Sequence, residues 1–310
     1  MASKNFSAAD VIDRVKLTSK SVVCDHKVLG IICYCLLNSQ NGQSLILVPD
    51  TSIAQDINSA LDELCHIANK QFNIEVYDAI AGNSKEINPG EKRISKMLMD
   101  ILNGKTTIVC SVESFIRKLP HFSQFKSDCH ELKVGDKINF NEFTELLTKF
   151  DYDNECQITN SCEFAVRGGL IDVFSPIEEF PARIDFFGDE IESIRLFSSE
   201  TQKTFSKKNQ YSIAPRYSEE KEEQQGTVAD YFPQFPSVIM VYPNDCRQVS
   251  NELPTEEKKN IFQNFIENAR SKDKLFEIYR SFEGDIDTFS TETAELVLPC
   301  LLYTSPSPRD

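Results

Sequence analysis

Residues 162–205 read CEFAVRGGLIDVFSPIEEFPARIDFFGDEIESIRLFSSETQKTF, and apolar and polar side chains alternate along them with a period of two. That period belongs to half-buried β-strands. Gly168-Gly169, Ser175-Pro176 and Gly188-Asp189 separate the runs, the last pair being a two-residue hairpin signal. The segment therefore reads as short antiparallel strands between Glu163 and Phe205. In Arg183-Ile184-Asp185-Phe186-Phe187 the alternation puts Ile184 and Phe186 on one face and Arg183, Asp185 and Phe187 on the other. A phenylalanine that shares a polar strand face with an arginine has two readings. It is a protein-binding hot spot awaiting a partner, or it caps the segment's own core or packs under a neighbouring domain. Arg167 is similarly open. It either closes an internal ion pair with Asp185 or Glu163 or offers its guanidinium to a carboxylate on another protein.

Outward from this segment the texture changes. From about residue 28 to 119, short apolar runs alternate with helical periodicity, as in a parallel sheet with crossover helices. Ser44 to Pro49 reads as a buried strand. Asp50 or Thr51 then caps a helix with Ile53, Ile57, Ala60, Leu61, Leu64 and Ile67 on one face. Residues 74–77 and 106–110 read as further strands. Between them residues 91–102 form an amphipathic helix closed by Asn103-Gly104, and residues 112–119 form a short helix stopped by Pro120. Residues 122–133 read as a polar connection and 140–150 as a helix. Past Ser206 the α/β texture returns, through a linker holding Glu219, Glu220, Glu222 and Glu223, a strand at 238–242 and a helix at 256–269. The predicted fold class is α/β: a parallel-sheet domain lacking a phosphate loop and split by a β-rich insert. The expected bounds are 1–120 for its first half, 121–206 for the insert and 207–300 for its second half. Residues 301–310, LLYTSPSPRD, read as a translated adaptor rather than native sequence, so the natural protein is expected to continue beyond about Pro299.

Composition narrows the function. The 310 residues carry 33 Lys and Arg against 48 Asp and Glu, a net charge of −15, which opposes a non-specific grip on duplex nucleic acid. The 162–205 segment alone holds nine acidic and four basic residues, a net of −5. Ten cysteines are scattered without a CxxC pair; Cys33 and Cys35 sit in an apolar run and read as small buried hydrophobes. Reduced thiols point to the cytoplasm, and no stretch reaches the roughly 18 apolar residues of a membrane helix. No GxxxxGK[ST] occurs, and the region 27–37 has a single glycine, so a triphosphate meets no cradle of backbone donors. Gly82-Asn83 and Gly90 read as turns. His26, His66, His121 and His130 lie far apart, without GxSxG or HExxH; the adjacent Cys129 and His130 are poorly placed to aim at each other. Neither a catalytic set nor a metal-ligand set emerges.

EFAVRGGLIDVFSP followed by ARIDFFGDEIESIRLFSSETQKT resembles the domain shared by bacterial transcription-repair coupling factor (Mfd) and the excinuclease subunit UvrB. TTIVCSVESFIRKLP and LKVGDKINFNEFTELLTKFDYDN, upstream, are similar to the same family in the same order, so the resemblance covers about residues 28–206. UvrB keeps a nucleotide site in its first domain, whereas the N-terminal domains of the coupling factor have lost it, and this chain follows the second pattern. The resemblance implies that the insert is the UvrA-binding module and that Arg167, Arg183 and Phe187 make the contact. It implies no cofactor for this region. ATP and magnesium would belong to motor domains further along, as would contacts with RNA polymerase and DNA. In the family the contact surface is covered in the resting full-length protein, so this chain is expected to bind UvrA constitutively. A glycine is expected where Cys162 stands. The resulting expectation is a recruitment module in nucleotide excision repair rather than an enzyme, with weak or no direct DNA binding. The alternatives are a divergent UvrB N-terminal region, which would bind ATP, and a folded scaffold indifferent to UvrA.

Overall fold

The computed structural model describes residues 21–24, 29, 30, 33, 36, 37, 42–68, 73–77, 94–104, 106–217, 226–280 and 294–295. Gly82, Asn83, Gly90, Cys35, Cys300, His26, the 219–223 glutamates and residues 301–310 lie outside them. Two compact units result, one from residues 1–76, 106–116 and 234–310, the other from 77–105 and 117–233.

The first unit is built on a seven-stranded sheet. Its strands, in spatial order, are β15 (Ala294–Glu295), β1 (Ser21–Cys24), β14 (Leu275–Arg280), β13 (Ser237–Val241), β2 (Ser44–Val48), β4 (Thr107–Ser111) and β3 (Ile74–Tyr77). The pairings from β15 through β4 are parallel. β2, β4 and β13 are buried at every residue, as strands covered on both faces must be, which is why they read as unbroken apolar runs. Helix α1 (Thr51–Ala68) follows β2, and the Asp50 carboxylate accepts from the Ile53 amide at 3.1 Å, so Asp50 is the capping side chain. Ile53, Ala54, Ile57 and Leu61 face the core with Leu29, Cys33, Leu36 and Leu37. A Cβ on Gly30 would stand 2.4 Å from that of Ala60. The single glycine of the 27–37 region thus permits close packing against α1.

The second unit carries a six-stranded sheet, ordered β11 (Thr204–Lys208), β10 (Glu190–Phe197), β9 (Ala182–Phe187), β8 (Leu170–Val173), β7 (Glu163–Arg167) and β6 (Asp153–Asn154). β7 to β11 are antiparallel neighbours, as the period of two predicts, whereas β6 pairs with β7 in parallel. One face is packed by Phe143 and Leu147 of α5 (Phe140–Lys149), together with Phe164, Ile171, Val173, Ile184, Phe186 and Ile194. Cys162 stands at φ +62°, the left-handed backbone that a glycine would adopt without cost, and its side chain is fully buried.

Several local expectations are corrected. Residues 122–133 are not a polar connection: they form helix α4 (Phe122–Asp128), anchored by Phe125 against Tyr217 and Tyr231, and strand β5 (His130–Lys133). The helix expected at 112–119 is a single turn, α3 (Val112–Phe115). The α/β texture does not return at once after Ser206, because β12 (Gln210–Ile213) pairs antiparallel with β5 inside this second unit. Amphipathic helix α2 (Ile94–Leu102) buries Ile94, Met97, Leu98 and Ile101, and Gly104 closes it at φ +72°. The helix expected at 256–269 spans Glu256–Ser271 (α7), after an unforeseen helix α6 (Pro243–Glu252). No described helix is long and apolar enough to cross a membrane.

Candidate functional site

The β9–β10 hairpin carries Arg183 and Phe187, two of the three candidate site residues. Phe187 is paired with Glu190 across the two-residue turn Gly188-Asp189, and Gly188 lies at φ +64°, the left-handed conformation such a turn requires. The turn is held from outside by the chain ahead of α5. Gly135 N donates to Ile191 O at 2.8 Å, Ile191 N to Asp136 O at 2.9 Å and Ile138 N to Asp189 O at 2.7 Å. Phe186 turns inward onto Phe140 and Phe143, with ring centroids 5.2 and 6.1 Å apart. Alternation then sends Phe187 outward, where it is 80% exposed. It caps no core among the described residues.

Register places the two arginines on the same outer face. Directly opposed residues of neighbouring antiparallel strands point to one side of a sheet. Asp172 is opposite both Ala165 and Arg183, and Arg183 is opposite Arg195; Leu170 is opposite Arg167 and Asp185. Arg167, Arg183 and Phe187 therefore share one face of three neighbouring strands, with Arg183 and Phe187 four residues apart on β9.

The electrostatics of that face rest on two carboxylates. Arg183 donates from Nε to Asp172 Oδ1 at 2.7 Å and from Nη2 to Oδ2 at 2.9 Å, a bidentate fork. Asp172 is wholly buried and the Arg183 side chain 17% exposed. The guanidinium also lies 4.8 Å from the centroid of Phe197, which joins Ile158 and Ala165 in a small apolar cluster. Hydrogen bonding to Asp172 and the charges of Asp172 and Asp185 raise the Arg183 pKa, against the opposing effect of burial. Asp185 is occupied separately. It accepts from Arg195 Nη2 at 2.7 and 2.8 Å and from the Ser193 hydroxyl.

Arg167 is the looser of the two arginines. Its Nη2 donates to Cys156 O at 2.8 Å, its Nη1 stands 3.9 Å from Asp172 Oδ2, and its side chain is 45% exposed. The expected internal pairs with Asp185 or Glu163 do not form. Asp185 is taken by Arg195, and the Glu163 carboxylate accepts the Thr159 and Asn160 amides at 2.7 and 2.8 Å. Asp172 and Arg195 escaped the sequence reading. The β8–β9 register sets Asp172 opposite Arg183, but it can be counted only once the strand pairing is known.

The remaining reactive side chains offer little chemistry. Burial, with the neighbouring Asp128 charge, pushes the Cys129 thiol up to about 12, away from the thiolate a nucleophile needs. The His130 ring stacks on Phe150 at 5.7 Å instead of addressing Cys129. His66 is exposed in the last turn of α1. Among the described residues no group of three or more His, Cys, Asp or Glu could hold a metal ion.

Comparison with known proteins meets the same region. Residues 130–218 match the family model of the UvrB interaction domain. The chain is 32% identical over 207 residues to a transcription-repair-coupling factor of Staphylococcus haemolyticus, covering 66% of this chain and 16% of the relative. It is 25% identical over 185 residues to that of Bacillus subtilis, covering 58% of this chain and 15% of the relative. With that of Myxococcus xanthus it shares 32% identity over 108 residues, 35% of this chain and 9% of the relative. The chain thus spans less than a fifth of the length of these relatives.

Proposed function

We propose that this chain, which carries a UvrB interaction domain and is related to the transcription-repair-coupling factors, acts as a recruitment module that binds UvrA through the outer face of the β7–β9 strands in nucleotide excision repair. The observation that carries the proposal is Phe187, 80% exposed at the tip of a hairpin buttressed from behind. A large aromatic held rigidly in water loses little entropy on docking. Removing it from water is worth on the order of 1.5–3 kcal/mol. Arg183 and Arg167 flank it as donors for carbonyl or carboxylate groups of the partner. In this reading the β-rich module is an insert in a split parallel α/β domain that has lost its phosphate loop.

The chain recruits and does no chemistry itself. ATP hydrolysis with magnesium, DNA translocation and the contacts with RNA polymerase belong to other parts of a longer coupling factor. The protein works in the cytoplasm, and its acidity keeps direct DNA binding weak. With Phe187 80% exposed in this chain, the site stands open before a partner arrives. Titration of UvrA with the chain and with full-length coupling factor tests this: tighter binding by the chain is expected, and equal affinities contradict it.

A further inference from the structure

We propose that Asp172 is a positioning residue of the partner-binding face, a buried carboxylate that aims Arg183 and tethers Arg167 before any partner arrives. The inference rests on the UvrA-binding reading and deepens it. Arg183 sits opposite Asp172 in the β8–β9 register, and both Asp172 oxygens accept from it at 2.7 and 2.9 Å. The same carboxylate lies 3.9 Å from Arg167 Nη1, across the β7–β8 hairpin. It is fully buried, so water cannot replace either guanidinium. Phe197, 4.8 Å from the other side, closes the slot in which the Arg183 head is held.

A guanidinium has five N–H donors in a fixed fork. Asp172 uses the Nε donor and one Nη2 donor of Arg183, which leaves the Nη1 edge and the remaining Nη2 hydrogen for a partner. A free arginine would give up rotamer entropy on docking; this one has given it up in folding. Arg195 faces Arg183 directly across β9–β10. The two cations tolerate each other because each has its own carboxylate, Asp185 for Arg195 and Asp172 for Arg183. Asp172 matters more to the face, because among the described residues it is the carboxylate that reaches both arginines of the proposed contact.

The test uses the full 310-residue chain and UvrA. Asp172→Asn keeps the shape but replaces one acceptor with a donor facing Arg183. Expected are a tenfold or greater loss of affinity with an unchanged far-UV spectrum, and a 15Nε–1H resonance of Arg183 that moves to the position of an unrestrained arginine. In an Arg183→Met background the same substitution should cost much less, because Arg183 is gone and only the tether to Arg167 is left to lose. Parent-like affinity of Asp172→Asn, or an equal loss in the Arg183→Met background, overturns the proposal. If Asp172→Asn does not fold, Arg183→Lys, which keeps the charge and cannot make the fork, decides. A tenfold loss is expected and parent-like affinity overturns it. Loss of binding in Phe187→Ala together with an unaffected Asp172→Asn sinks the positioning role alone; a folded parent that ignores UvrA sinks both readings.

Discussion

Phe187 and Arg183 stand four residues apart on one strand, yet they differ as probes of the face they share. Phe187 touches no core, so Phe187→Ala should leave folding stability within about 0.5 kcal/mol of the parent in urea denaturation. Arg183→Ala removes the partner of a fully buried carboxylate and should cost about 3 kcal/mol in the same measurement. An affinity lost with Arg183→Ala therefore mixes contact with stability, while one lost with Phe187→Ala reports contact alone. A stability cost for Arg183→Ala below about 1 kcal/mol would show that Asp172 finds another donor. Arg183 and Phe187 were legible as one face from the alternation in ARIDFF. Asp172 was not, because its importance comes from a cross-strand register that a single strand does not display.

Elements make the hairpin tip rigid, and two of them can be tested by small changes. Gly188→Ala puts a side chain at φ +64° with open space around it, so the cost is backbone strain alone, about 1 kcal/mol, read as a lower thermal midpoint. The Asn139 side chain caps α5 by accepting from the Asn141 and Glu142 amides at 3.0 and 3.2 Å. Asn139→Ala should cost about 1 kcal/mol and loosen the segment that buttresses the turn, seen as faster amide exchange at Ile138 and Ile191. The antiparallel strands, α1, α2 and the buried runs of β2, β4 and β13 follow from periodicity because their burial is regular. α4 and β5 did not: Phe125 and Leu132 are their only fully buried side chains, so neither a period of two nor one of 3.6 develops. α6 was obscured for a related reason, since its polar surface outweighs the buried Cys246 and Ser250.

Across the whole molecule, charge and burial set the conditions under which the proposed recruitment would work. Tyr152, Tyr211 and Tyr231, all in the second unit, are buried with their hydroxyls bonded to Ala214 O, Phe180 O and Pro120 O, and burial raises each pKa above the usual tyrosine range near 10. The unfolded chain then releases phenolic protons before the folded one. The stability that these three tyrosines contribute is full below about pH 10 and falls as the pH rises beyond it. Tyrosinate absorbance of these residues should appear together with loss of the far-UV signal; a gradual rise in a still folded chain would contradict the burial. At neutral pH the net charge of −15, with −5 in residues 162–205, gives an acidic partner no long-range attraction, so docking rests at short range on the face that carries Phe187 and the arginine donors. The account turns on that face, and titration of UvrA with the parent chain and with Phe187→Ala tests it most directly. The prediction is binding by the parent and at least a tenfold loss, about 1.4 kcal/mol, in an equally folded Phe187→Ala; equal binding by the two, or none by the folded parent, contradicts it.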